Sequence, residues 1–243
     1  IKNGPAERRH FLDSELCQLD KVYLYQLSNY NKVVLQRNKL LKELYLHPDY
    51  REVLDVLDMQ LVQYGSALIQ RRQTFAEELG EIVHRIHSQL SGGQEEMELK
   101  YEPNVTVDVF AQMLFSNRER DMRLKTTATG PHRDDISFVV NGVDIRKFGS
   151  QGQQRTAALS LKLSEIELVK RLIGDTPVLL LDDVLSELDS GRQNYLLNSI
   201  ENIQTLITCT GLDEFVNHRF SINRIYKVTD GSVTVENKQE ADR

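Results

Sequence analysis

Cysteine is scarce in this 243-residue chain, which has only Cys17 and Cys209. The two lie far apart in unlike contexts, so they predict neither a disulfide framework nor a metal cage, and a reducing cytosol is the expected compartment. Long apolar runs are also missing. The longest lies around residues 178–181 and is far too short for a membrane span. No basic-then-apolar leader follows Ile1, and the lack of an initial Met suggests an internal segment of a longer protein.

An excess of positive charge is missing as well, because the formal net charge is −6. This excludes a protein whose whole surface binds phosphate, although it is compatible with a local basic patch. The chain is 40% hydrophobic and 27% charged, which is ordinary for a soluble globular protein and argues against disorder. Its length fits one compact domain or two modest ones.

Apolar periodicity divides the chain into three stretches: a short polar one at 1–13, a mostly helical one at 14–94, and an alternation of strands and helices at 95–243. In the helical stretch, apolar residues recur every three or four positions from Leu16 to Leu44, which predicts one long helix. His47-Pro48-Asp49 breaks this pattern, and a second stripe runs from Leu54 to Ile86. We expect the two helices to lie antiparallel in a compact helical lobe.

The third stretch begins with a half-buried strand, because residues 97–102 alternate apolar and charged side chains. A helix pattern at 108–122 follows, and the residues around Asn141-Gly142 predict a hairpin with a two-residue turn. Helix and strand patterns then alternate at 153–172, 178–181, 193–200 and 205–208. Such alternation predicts an α/β fold with a largely parallel sheet.

Two carboxylates, Asp182 and Asp183, follow the apolar run Pro177-Val178-Leu179-Leu180-Leu181. A buried strand that ends in carboxylates places negative charge at the C-terminal edge of the sheet, where α/β folds bind ligands. Asp182 is suited to hold Mg²⁺ through its waters, and Asp183 to orient an attacking water. A strand followed by an acidic helix cap explains the pair equally well.

A glycine-containing turn precedes the helix predicted at 153–172. Residues 148–155 read Phe-Gly-Ser-Gln-Gly-Gln-Gln-Arg and run directly into an amphipathic pattern. Ser150 is a good N-cap, and Gly152 allows a ligand to approach the backbone closely. The free N–H groups and the positive end of the helix dipole predict an anion site here. An ordinary capped helix is the alternative.

The order of these two features resembles that of the ABC ATPases. In that superfamily a serine-glycine signature opens a helix, and a Walker B strand and a Ser-x-Leu-Asp D-loop follow it. Leu90-Ser91-Gly92-Gly93-Gln94 spells the best-known ABC signature, but it ends a helix pattern and a strand pattern follows. We therefore assign that stretch no nucleotide role and place the signature at residues 150–154.

Four motifs narrow the resemblance: residues 4–13 (Gly-Pro-Ala-Glu-Arg-Arg-His-Phe-Leu-Asp), 129–135 (Thr-Gly-Pro-His-Arg-Asp-Asp), 150–155 and 181–189. In this order, over nearly the whole chain, they resemble the RecF family of bacterial recombination proteins. The resemblance implies an ABC-type ATPase head like that of structural-maintenance-of-chromosomes (SMC) proteins. Residues 1–13 would end its N-terminal portion, 14–94 would be an inserted α-helical lobe, and 95–243 the α/β lobe.

The same resemblance implies ATP-dependent homodimerisation, binding of single- and double-stranded DNA at gap junctions, and cooperation with RecR in loading the recombinase RecA during DNA repair and the SOS response. Asp182 would serve Mg²⁺, and Asp183 would polarise the attacking water. ATP held by the partner protomer would be contacted by signature residues, and D-loop residues would communicate across the interface. These residues are Ser150, Gln151, Gly152, Gln153 and Gln154 in the signature, and Ser186 and Asp189 in the D-loop.

The sequence departs from the family pattern at the phosphate loop and at the hydrolytic residues, and the second departure suggests slow ATP hydrolysis. No Gly-x-x-x-x-Gly-Lys-Ser/Thr phosphate loop occurs in the 243 residues, so we expect this segment alone to be inactive. Asp183 stands where many ABC enzymes have a glutamate, and Cys209 and Thr210 occupy the region where a switch histidine often follows the strand at 205–208. Both replacements suggest a switch rather than a motor.

Other charged groups have two interpretations each. His132 and Arg133 would contact phosphate or the opposite protomer, or form an ion pair on a tight turn. Arg71-Arg72 and the basic residues of one helix end would bind a DNA backbone, but a solvated face is the favoured interpretation. Those basic residues are Arg118, Arg120, Arg123 and Lys125. Two functional alternatives also stand: another SMC-like repair ATPase, and a non-enzymatic scaffold that binds DNA or a RecR-like partner.

Overall fold

The chain divides into two units, Ile1–Asp175 and Thr176–Arg243. The computed structural model describes residues 1, 4–43, 51–185, 188–209 and 222–236. The turn that opens at Ser150 belongs to the first unit, and the acidic strand belongs to the second.

Three helices begin the first unit: α1 (Pro5–Leu19), α2 (Lys21–Glu43) and α3 (Arg51–Leu90). The prediction of one helix from Leu16 onward is wrong, because the chain leaves helical geometry at Asp20 (φ −140°, ψ 103°). Asp20 Oδ1 accepts hydrogen bonds from the backbone N–H groups of Val22 (2.9 Å) and Tyr23 (3.0 Å) and so caps α2. The predicted break at residues 47–49 lies outside the described residues.

Helices α2 and α3 lie antiparallel, as predicted, and pack in a regular register. Arg37 contacts Asp58, and Arg72 contacts Tyr23. Midway between these pairs, Gly65 meets Tyr30, and a Cβ on Gly65 would lie 2.9 Å from the Tyr30 ring. The contacts therefore recur every seven residues along each helix, which is two turns.

An antiparallel sheet of β1 (Met97–Glu102), β2 (Asp135–Val140) and β3 (Val143–Asp144) follows α3, in that order. The alternating burial of β1 confirms its prediction as a half-buried strand. Asn141 and Gly142 have φ angles of 48° and 80°, so the predicted hairpin turn is also confirmed.

The helix predicted at 108–122 is instead two helices, α4 (Val107–Ser116) and α5 (Arg118–Leu124). They separate at Asn117, whose side chain donates to Thr129 Oγ1 at 3.0 Å. After β3 come the short α6 (Ile145–Phe148) and the long α7 (Gln151–Ile173). Helix α3 is central to this unit, because α2, α4, α7 and β1 all pack against it.

The second unit contains β4 (Leu179–Asp182), α8 (Ser190–Ser199), β5 (Thr205–Thr208) and the hairpin β6 (Ile225–Thr229) and β7 (Ser232–Glu236). Strands β4 and β5 pair in parallel, with Asp182 opposite Thr208. They are the only parallel pair among the described residues, so the prediction of parallel pairing is confirmed for these two strands and wrong for the other described strands of 95–243, which pair antiparallel.

The prediction that β4 is buried is wrong for most of the strand. Leu181 is 7% exposed, whereas Leu180 is 71% exposed. A continuous apolar run implies cover on both faces of a strand, but Leu181 is the only residue of β4 that is buried. Leu185, Leu196 and Ile200 of the same unit are also buried. None of the described helices combines the length and the apolar character that crossing a bilayer requires.

Candidate functional site

Ser150 caps helix α7 through a reciprocal pair of hydrogen bonds. Its Oγ accepts from the backbone N–H of Gln153 at 3.1 Å, and the Gln153 Oε1 accepts from the backbone N–H of Ser150, also at 3.1 Å. This capping box leaves the N–H groups of Gln151 and Gly152 at the open end of the helix. The turn therefore has the fixed geometry that an anion site at a helix N-terminus requires.

Two glycines shape this turn for different reasons. A Cβ on Gly149 would lie 2.7 Å from both Cβ and the carbonyl oxygen of Ile145, so only glycine fits there. A Cβ on Gly152 would meet only the neighbouring Ser150 Oγ, at 3.9 Å, so the space beside Gly152 is open. Gly149 was not among the predicted site residues, although a glycine directly before an N-cap serine indicates that the backbone there packs closely against a neighbour.

The five predicted signature residues divide into two groups. Ser150, Gln151 and Gly152 are exposed at the helix start. The side chains of Gln153 and Gln154 instead hold the turn to its surroundings, since Gln153 Nε2 donates to Glu95 Oε1 at 3.0 Å and Gln154 Nε2 donates to the Ile145 carbonyl at 2.9 Å. Position 153 therefore has a structural partner that the sequence did not indicate.

The second glycine-rich stretch, residues 90–94, ends helix α3 as predicted. Gly92 and Gly93 have φ angles of 63° and 78°, and the Gly93 N–H donates to the Ser88 carbonyl at 2.7 Å. This is the left-handed geometry of a helix C-terminus. Strand β1 follows, so no helix begins at these glycines.

In the second unit, Thr208 holds both predicted carboxylate residues at the end of β4. Its Oγ1 donates to Asp182 Oδ1 at 2.5 Å and accepts from the backbone N–H of Asp183 at 3.1 Å. The Thr208 carbonyl also accepts from Asp183 N–H at 3.2 Å. Asp183 has a φ of 50°, so the chain turns sharply where the strand ends and both carboxylates are exposed. Thr208 was not among the predicted site residues, although it ends the neighbouring parallel strand.

The acidic edge fits Mg²⁺ only in part. Asp182 offers one exposed carboxylate, and the hydroxyl of Thr208 points at it. Among the described residues no cluster of three or more His, Cys, Asp or Glu side chains is arranged to hold a metal ion. A single carboxylate suits an ion that takes its remaining oxygens from water and from a phosphate ligand, as Mg²⁺ commonly does.

Asp189 caps helix α8. Its Oδ1 accepts from the backbone N–H of Arg192 at 3.0 Å, and its Oδ2 lies 3.0 Å from the Arg192 guanidinium. The backbone N–H of Arg192 lowers the pKa of Asp189, so the carboxylate remains ionised at neutral pH. Ser186, the other predicted D-loop residue, lies outside the described residues.

His132 is a neutral side chain fixed in the first unit. Its Nδ1 accepts from the Tyr30 hydroxyl at 2.7 Å, and its Nε2–H donates to the Thr127 carbonyl at 2.9 Å. Burial lowers its pKa to about 4. The interpretation of His132 as half of an ion pair is therefore wrong, because its environment disfavours the charged ring.

The interpretation of Arg72 as part of a solvated face is also wrong, because this side chain is 2% exposed. Its guanidinium contacts Asp134 at 2.9 Å and Asp13 at 2.8 Å. Arg118 is likewise held, at 2.6 Å from Asp55 and 2.7 Å from Asp58. The other three basic residues of that helix end are exposed, as predicted: Arg120, Arg123 and Lys125.

The chain is similar to known proteins in both sequence and fold. The chain is 60% identical over 235 residues to the DNA replication and repair protein RecF of Agathobacter rectalis, and 59% identical over 239 residues to that of Lachnospira eligens. These matches cover 97% and 98% of the chain and 65% and 66% of the relatives. The chain thus spans slightly less than two thirds of the curated relatives it matches. No protein-family model matches it.

Two solved structures of the recombination mediator protein RecF, one with ATPrS and one with ATP, superpose on the chain with TM-scores of 0.84 and 0.86. They are 35% and 34% identical to it, and each match covers 97% of the chain and 64% of the solved structure. The chain therefore has the mixed helix-and-sheet fold of these two RecF structures. It belongs to the RecF family, as its four motifs predicted.

Proposed function

We propose that the complete protein is an ATP-dependent DNA-binding protein of recombinational repair. It dimerises on binding ATP and, together with RecR, helps to load a recombinase at single-strand gaps. The observation that carries the proposal is the match to RecF solved with ATP, at 34% identity and a TM-score of 0.86 over 97% of this chain. The 60% identity to a DNA replication and repair protein supports the same role.

In this proposal the start of α7 binds the γ-phosphate of ATP held by the partner protomer. The capping box fixes the turn, and the N–H groups of Gln151 and Gly152 belong to the first turn of the helix, which has no intrahelical acceptors for them. The space beside the Gly152 Cα is open. A phosphate placed there would receive hydrogen bonds from the backbone and gain from the helix dipole. The short side chain of Ser150 and the missing side chain of Gly152 leave the phosphate room to approach.

The acidic edge of the second unit contributes the groups for hydrolysis. Asp182 would hold Mg²⁺, which supplies charge neutralisation at the phosphate oxygens when bound. Asp183 would accept a hydrogen bond from the attacking water and so orient it. Thr208 fixes both groups, since its hydroxyl contacts the Asp182 carboxylate and the Asp183 backbone. Asp189, at the start of α8, would communicate across the dimer interface together with Ser186.

Slow turnover follows from the length of the Asp183 side chain. Aspartate is one methylene shorter than glutamate, so its carboxylate reaches less far toward a water above the strand end. The residue directly after β5 is Cys209, not a histidine. A long-lived ATP state suits a protein that marks a gap on DNA better than one that moves along it.

The test measures binding of the complete protein to a gapped DNA duplex by fluorescence anisotropy, with and without Mg-ATP at fixed salt. The proposal predicts that Mg-ATP tightens binding to the gapped duplex. An affinity that does not change with ATP would contradict it.

A further inference from the structure

The turn at residues 91–95 joins the end of helix α3 to the signature through Glu95. Ser91 Oγ accepts a hydrogen bond from the backbone N–H of Glu95 at 3.1 Å and donates to the Ser88 carbonyl at 3.1 Å. The left-handed conformations of Gly92 and Gly93 reverse the chain between Ser91 and Glu95. The second Ser-Gly-Gly-Gln stretch therefore fixes where Glu95 points.

Glu95 lies between two buried or half-buried partners. Its Oε1 accepts from Gln153 Nε2 at 3.0 Å, and its Oε2 lies 3.2 Å from His87 Nε2. Gln153 uses its other amide atom, Oε1, to accept the backbone N–H of Ser150. One continuous set of hydrogen bonds thus runs from α3 through Glu95 and Gln153 to the first residue of the signature.

His87 anchors this set. It is 0% exposed in the last turn of α3, and its Nδ1 lies 2.9 Å from Ser160 Oγ on α7. A carboxylate only accepts, so Nε2 carries the proton that His87 donates to Glu95, and in the neutral ring Nδ1 then accepts from the Ser160 hydroxyl. Glu95 is thereby held at both oxygens by groups that packing keeps in place.

We propose that Glu95 is a positioning residue for the signature, which it holds in its phosphate-binding shape through Gln153. The proposal rests on the proposed function, because it assigns the signature its role at the dimer interface. Without Glu95 the Gln153 amide is free to turn, and the Ser150 N–H loses a fixed acceptor. The turn then visits other shapes, and the dimer requires more ATP to form. ATP binding to a single protomer does not involve Glu95 and stays unchanged.

The test measures the ATP concentration that gives half-maximal dimer in sedimentation of the complete protein. Glu95→Ala is expected to raise it about fivefold, the effect of losing one ordinary hydrogen bond. Glu95→Gln is expected to stay within about twofold of wild type. Its amide oxygen still accepts from Gln153, and its amide N–H donates to His87 once that ring carries its proton on Nδ1. The matched control is Glu96→Ala, at the exposed neighbouring carboxylate.

Two readouts separate positioning from general stability: rescue by Glu95→Gln, and an unchanged affinity of one protomer for ATP. A purely structural defect would change that affinity. That affinity is measured with a fluorescent ATP analogue at protein concentrations too low for dimers. If Glu95→Ala dimerises at the same ATP concentration as wild type while Ser150→Arg stays monomeric, the role of Glu95 is overturned and the proposed function is not. An ATP-induced dimer of Ser150→Arg would overturn the proposed function and this inference with it.

A second pair of variants decides the question if Glu95→Ala does not fold. Gln153→Glu keeps the capping box, since glutamate serves equally at that position, but sets two carboxylates against each other. Adding Glu95→Gln restores a donor and an acceptor across the contact. The double variant is expected to need at least threefold less ATP for dimerisation than Gln153→Glu alone. Equal requirements would contradict the proposal.

Discussion

Arg72 and Asp134 form a buried ion pair that ties helix α3 to the turn before β2, with 2.9 Å between Nη1 and Oδ2. Arg72 is 2% exposed and Asp134 is 0% exposed. The same guanidinium contacts Asp13 of α1, and the Arg9 Nη1 donates to the Asp134 carbonyl at 2.7 Å. Two of the family motifs, at residues 4–13 and 129–135, therefore meet around one arginine of helix α3.

Removing Asp134 should destabilise the fold strongly. Asp134→Ala leaves Arg72 with one carboxylate and removes the acceptor of the Tyr101 hydroxyl and the Asn104 N–H. Breaking a buried pair from one side costs about 3 kcal/mol. Urea unfolding of the complete protein measures this loss. The control is Glu98→Ala, which breaks an exposed pair with Lys100 and should cost far less than Asp134→Ala. Equal small effects would mean that the buried network does not stabilise the fold.

Burial raises the pKa of Glu165 on α7 to about 7, although Lys162 opposes the shift. A carboxyl group whose pKa is raised in the folded state stabilises the fold below its unfolded value, and this contribution is lost as pH rises toward and above 7. Glu165→Gln should therefore stabilise the protein by about 3 kcal/mol at pH 8.5 and by less than about 1 kcal/mol at pH 5. Urea unfolding at both values tests this.

Glu167→Gln is the control for that experiment, because Glu167 is half exposed and pairs with Arg85 on the surface. It should show little dependence on pH between 5 and 8.5. A stabilisation by Glu165→Gln that is the same at both values would show that the carboxyl charge is not its source.

Asp183→Asn should slow hydrolysis without weakening ATP binding in the complete protein. An asparagine oxygen is a poorer proton acceptor than a carboxylate, so the attacking water loses its oriented base, which commonly contributes a factor of about 100 or more. Single-turnover hydrolysis measures the effect, and the dimer should persist longer. Unchanged single-turnover hydrolysis would remove Asp183 from this role.

Residues 1–243 alone should show no measurable ATP binding. The sequence has no phosphate loop, and the start of α7 offers only a few N–H groups and a partial dipole, worth about 1 kcal/mol. Micromolar affinity needs about 8 kcal/mol. Calorimetric titration with Mg-ATP tests this, and saturable micromolar binding would show that the nucleotide site is built differently.

The sequence predicted those elements whose signal is local. The period-two pattern of β1, the Asn141-Gly142 turn and the Ser150 cap each depend on adjacent residues, and the structure has all three. The helix break at Asp20 was missed because an apolar stripe continues across it. The break is made by a single aspartate, Asp20, and no other feature of the sequence indicates that a helix ends there.

Features that depend on distant partners were not predictable in this way. Arg72 is buried because its carboxylate partners lie 59 and 62 positions away, which no local pattern shows. Glu95 meets Gln153 from 58 positions away. Charged residues are exposed by default, so sequence reasoning placed Arg72 at the surface and gave Glu95 no role.

ATP-induced dimerisation of Ser150→Arg tests the central claim most directly. The arginine side chain would fill the open space before Gly152, and it is compared with Ser116→Arg, an exposed serine at the end of α4 where a basic residue suits the helix dipole. Sedimentation of the complete protein with and without Mg-ATP should show an ATP-dependent dimer for wild type and Ser116→Arg, and a monomer for Ser150→Arg. An ATP-dependent dimer of Ser150→Arg as tight as that of wild type would contradict the assignment of the signature to this turn.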